Sequence, residues 1–160
     1  MSWNSAAFDE PSSLDPAVFA DVAELRFGDA KVLRETGRDV HANGVAYLAG
    51  LVIEILLKAR LLKQYPHLIQ SQTDQLSPEQ NKIYRLIWVD HNLKTMLIEL
   101  PQVVDGLEAR DRRFGSDVAR DLKKFCAAWR NDSRYSPNRI TMEEASRMLD
   151  LVGRVKDYIK

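Results

Sequence analysis

Eighteen consecutive residues, VAYLAGLVIEILLKARLL from Val45 to Leu62, contain only three charged side chains: Glu54, Lys58 and Arg60. A helix over this run would be apolar on almost every side, so other elements must cover it from several directions. The run is too short and too charged to span a bilayer and reads as a buried helix. Its expected limits are about Val40 and Gln64, where Tyr65-Pro66 stops it. At 160 residues the chain can build one domain with a substantial core around such a helix.

The flanking sequence supplies further helices. In SLDPAVFADVAELRFGDAKVLRETG, Asp15 can cap, Pro16 fits the first turn, and Phe19, Val22, Leu25 and Leu33 recur at helical spacing. Gly28 weakens the middle of this helix, and Gly37 is placed to stop it. Ser77-Pro78-Glu79-Gln80 and Thr141 with Glu144 have the reciprocal capping pattern. The first opens a short helix that leads into DHNLKTMLIEL and ends at Pro101. The second opens the last helix, with Ala145, Met148, Leu149, Val152, Val155 and Ile159 on its apolar stripe. SDVARDLKKFCAAWRN is a further helix, with Val118, Leu122, Phe125 and Trp129 on one stripe. No segment alternates like a strand. The expected fold is all-α, an up-and-down helical bundle of four main helices plus a short extra helix. Residues 1–14 are expected to form a flexible tail, and 15–160 a single helical domain.

Several chemistries lack their residues. There is no Cys/His cluster with metal spacing, no glycine-rich phosphate loop and no G-x-S-x-G elbow, so neither a metal nor a cofactor is expected. The single cysteine, Cys126, fits a reducing cytoplasm, and the N-terminus has no basic start or apolar h-region. Net charge is zero but unevenly spread. Residues 1–30 hold six acids against Arg26, whereas residues 110–139 hold nine bases against four acids. The basic excess either attracts phosphates or is one of two solvated faces that complement each other across a dimer.

Three places carry unusual polar residues. Glu54 and Lys58 fall near one stripe with Tyr47; they pair with each other at the edge of the bundle, or Glu54 faces Arg130 across a polar notch. His91 is expected to cap or hydrogen-bond at the start of its helix, with a base or ligand role as the alternative. WRNDSRYSP, residues 129–137, ends a helix with two arginines four apart. Arg130 and Arg134 can fork onto phosphate, Asn131 can read an edge and Tyr135 can stack on a base. Equally, the arginines can bond the last helix carbonyls. Spacing does not separate these readings.

In YLAGLVIEILLKARL (47–61), HNLKTML (91–97) and WRNDSRYSP (129–137), taken in that order, the chain resembles the HEPN family of four-to-five-helix bundles. The second segment is similar to the family's H-x-L-x-x-L element. The third falls where the family has R-N-x-x-x-H or a tryptophan-to-R-Y variant. The resemblance implies a homodimer whose arginine-bearing segments meet across the two-fold axis. It also implies ligands: a nucleotide, RNA, or a partner protein such as a small nucleotidyltransferase, in stress or defence. Catalytic members cut RNA without metal, as in toxin–antitoxin systems. Arg130 and Asn131 match the first two motif positions, but Tyr135 stands where histidine should be, and a tyrosine with a pKa near ~10 is a poor base at neutral pH. The expected site is therefore Arg130, Asn131, Arg134, Tyr135, Glu54 and Lys58, used mainly for binding. Arg130, Tyr135 and His91 are the candidates for any residual catalysis.

Overall fold

Helix α2, Ala42–Gln64, is the axis of the molecule: thirteen of its 23 residues are buried, including Ile53, Leu56, Leu57, Leu61 and Leu62. Each such aliphatic side chain contributes about 1.5–3 kcal/mol when fully buried. The structure, a computed structural model, describes residues 15–69, 76–129 and 140–160. Among them are α1 (Pro16–Glu35), α2, α3 (Pro78–Trp88), α4 (Leu93–Ile98), α5 (Pro101–Phe114), α6 (Val118–Ala128) and α7 (Met142–Ile159). Two short 3-10 turns, Asp39–His41 and Pro66–Ile69, flank α2, and the described residues include no strand. The fold is an all-α helical bundle, as the sequence implies. The tail expected at 1–14 lies outside the described residues.

Helices α1 and α7 cover α2 most extensively. They run antiparallel to one another. Glu24 meets Lys156 and Lys160, the Phe27 ring lies against Gly153, and Arg34 meets Asp150 at 2.8 Å. The turn between α1 and α2 also holds the start of α7: the Met142 amide donates to Asp39 (2.7 Å) and the Ile140 amide to Asn43 (3.2 Å). The remaining sides of α2 are closed by α3 and α4, with α5 and α6 packed behind.

The local signals act as read. Asp15 accepts from the Ala17 amide, and Ser77/Gln80 and Thr141/Glu144 form complete capping boxes. Gly37 and Gly115 take the left-handed conformation that follows a helix, both at φ 63°. Two helices exceed the four main and one short expected: the short helix expected to lead to Pro101 is divided into α3 and α4, and α5 is an addition. Pro101, read as a terminator, occupies the first turn of this next helix, where its missing N–H costs nothing. Helix α6 ends at Ala128, earlier than expected, because Trp129 turns to extended backbone (φ −68°, ψ 135°). Its amino end is capped from outside, by the Asp111 carboxylate of α5 accepting from the Ala119 amide at 2.7 Å.

Candidate functional site

Tyr47, Gly50, Glu54 and Lys58 are spaced by three, four and four residues, so they share one face of α2. Glu54 is the centre of this face and is only 3% exposed. Its Oε1 accepts from Lys58 Nζ at 2.8 Å and from His91 Nδ1 at 2.7 Å. Glu54 Oε2 is buried with no hydrogen-bond partner among the described residues. The pair therefore sits inside the bundle and not at its edge, since Lys58 is also buried. A carboxylate in such surroundings needs its cationic partner, because leaving either charge alone costs several kcal/mol, about 3–5.

His91 does not cap its helix. Asn92 does so, accepting from the Thr95 amide at 3.0 Å, which releases the imidazole to turn back onto α2. With Nδ1–H donating to Glu54, the neutral ring has Nε2 as its acceptor. Nε2 has no protein partner among the described residues, and the ring lines an open cleft of about 860 Å³. A carboxylate-oriented imidazole of this kind can exchange a proton with a bound group or hydrogen-bond to it.

Trp129 reaches the same face of α2 from the other side. Its ring stacks on Tyr47, with centroids 6.3 Å apart and 25° between planes. The indole lies directly over Gly50: a Cβ there would fall 1.8 Å from Trp129 Nε1. Only glycine leaves room for this approach. The exit of Trp129 from the helix is what permits it, since the ring then swings toward α2. Its Nε1 is buried without a partner among the described residues, and Trp129 is one of the residues that line the cleft.

Of the expected site residues, the structure thus joins Glu54, Lys58 and His91. Arg130, Asn131, Arg134 and Tyr135 lie outside the described residues, although the chain enters that segment at Trp129, beside Glu54's face of α2. The sequence reading missed the opposite wall of the cleft, which holds Asn81, Lys82 and Arg85 of α3 with Lys94 and Thr95 of α4. The spacing of 78, 81, 82 and 85 was the available signal, because it places polar residues on one face of a short amphipathic helix. Among the described residues no group of three or more His, Cys, Asp or Glu side chains is placed to hold a metal ion, and no helix is long and apolar enough to cross a membrane. Compared with protein-family models, curated proteins and solved structures, the chain finds no match in any of the three.

Proposed function

We propose that this chain is a HEPN-like dimeric binding and regulatory module, acting in stress or defence, that recognises a nucleotide, RNA or a partner protein, with a nucleotide or RNA favoured. One observation supports the reading above others. The three segments that carry the resemblance, far apart in sequence, meet on one face of α2: Glu54 from the first, His91 from the second and Trp129 from the third. In this reading Arg130 and Arg134 grip phosphate and Tyr135 stacks on a base, with Asn131 as a hydrogen-bonding neighbour. The test is isothermal titration of the full chain with nucleotides and short single-stranded RNA, alongside Arg130→Ala. Heat from the parent and its loss in the variant are expected, with a dimer mass in light scattering. Equal heats from both proteins would remove the 130–135 segment from the site.

A second reading, a metal-independent endoribonuclease toxin, draws support from the place of His91. Its imidazole, oriented by Glu54, lines the same cleft as Trp129 and could stand in for the histidine that Tyr135 replaces. Growth arrest on overexpression, relieved by both His91→Ala and Arg130→Ala, would favour this reading over pure binding.

A further inference from the structure

The cleft in front of His91 is strongly asymmetric in its chemistry. Its α3 and α4 side carries Lys82, Arg85 and Lys94, and Asp90 is the lone carboxylate among the lining residues described. Two of the three cations are loosely committed. Lys82 bonds Glu99, and Arg85 touches Asp90 through one nitrogen at 3.4 Å, with both basic side chains more than half exposed. Such surface pairs are weak and exchange readily for a better anion. Lys94 has no carboxylate partner among the described residues. Lys82 and Arg85 lie three apart on one face of α3, and Lys94 lies in the first turn of α4 on the same side of the cleft. The other side is apolar and aromatic, made by Cys126, Ala127 and Trp129. The volume, about 860 Å³, falls within the span usual for small-molecule sites, roughly 300–1,000 Å³.

We infer that Lys82, Arg85 and Lys94 form a phosphate-binding wall, and that the cleft takes a phosphorylated nucleoside, its phosphates on this wall and its base toward Trp129. An inorganic anion would leave the aromatic side unused, and an uncharged nucleoside would leave Lys94 unanswered and make no use of the two weakly paired cations. The inference rests on the nucleotide-or-RNA reading above but places the phosphates on residues that the 129–137 segment does not supply. The phosphate belongs either to a free nucleotide or to an RNA strand, and both present the same group to the wall.

The experiment uses the full-length protein with four probes: a nucleoside triphosphate, the same nucleoside without phosphate, inorganic triphosphate and a ten-nucleotide single-stranded RNA. The variants are Lys94→Ala, Arg85→Ala and Arg130→Ala. The first two change exposed side chains, so native circular dichroism is expected from each. Each should weaken the phosphorylated nucleoside or the RNA about tenfold or more. Each should also lower the salt slope of RNA binding by about 0.7. Loss confined to the RNA assigns the wall to strand phosphodiesters, and loss confined to the triphosphate assigns it to a free nucleotide. Unchanged affinity in Lys94→Ala and Arg85→Ala, with binding abolished in Arg130→Ala, overturns the wall and leaves the broader reading standing. Inorganic triphosphate binding as tightly as the nucleotide overturns the assignment of the aromatic side. No binding of any probe by the parent removes both.

Discussion

Glu54 is the residue on which the interior depends most sharply. Its Oε1 answers Lys58 and His91 together, and of the three side chains Glu54 and Lys58 are buried, where water shares little of their charge. Glu54→Ala should therefore cost about 3–5 kcal/mol of stability in urea denaturation, because Lys58 would remain buried and uncompensated. Replacing both members, Glu54→Leu with Lys58→Met, should recover most of the loss, since an apolar pair of similar volume needs no counter-charge. A double variant as unstable as the single one would show that the ion pair is not what the site demands. The i,i+4 pairing of Glu54 with Lys58 was legible in the sequence because helical spacing alone produces it. The part played by His91 was not, because its partner is 37 residues away and only the release of the cap to Asn92 frees the ring.

Elements are joined by charge as well as by packing. Glu24 of α1 receives Lys156 and Lys160 of α7, and hydrogen bonds from these two lysines hold its carboxyl below the ordinary glutamate range. The same contact, with Glu24 the main cause, raises Lys156, and Lys156 also lowers Asp157. Because the Glu24 pKa is depressed in the folded state, the unfolded chain binds its proton more readily. The stabilisation is present above the unfolded value and is lost as pH falls through the folded one, from about pH 5 downward. Glu24→Gln should thus lose less stability than the parent between pH 5 and pH 3. The difference should stay within about 1 kcal/mol, since the carboxylate is partly exposed. Parallel acid curves for the two proteins would show that the α1–α7 contact does not sense pH. Helix boundaries with a local chemical signal, at Asp15, Ser77 and Thr141, could be read directly. Helix α5 could not: it buries only Val103 and Leu107, Gly106 sits in its middle, and Pro101 reads equally as a stop or a start.

Across the whole molecule, burial makes Cys126 a reporter of cooperative opening. The thiol is 3% exposed among α4, α5 and α6, and burial pushes its pKa up to about 12. Thiolate is the reactive form, so a thiol reagent at pH 8 should leave the native protein unlabelled. Labelling should appear across the urea transition in step with loss of helical circular dichroism. Rapid stoichiometric labelling in native buffer would show that the α4–α6 side opens independently of α2.

Local sequence was enough for the all-α class, the central helix and most of the caps. Each follows from residue spacing, from the φ freedom of glycine and the fixed φ of proline, or from a side chain reaching its own backbone within a turn. The polar cluster and the cleft depended on tertiary structure. Glu54, His91 and Trp129 come together only when α2, the link before α4 and the end of α6 pack side by side, and the cationic wall exists only because α3 and α4 line one cleft beside that junction. Periodicity records which side of a helix is buried, but it carries no information about which distant segment will cover it.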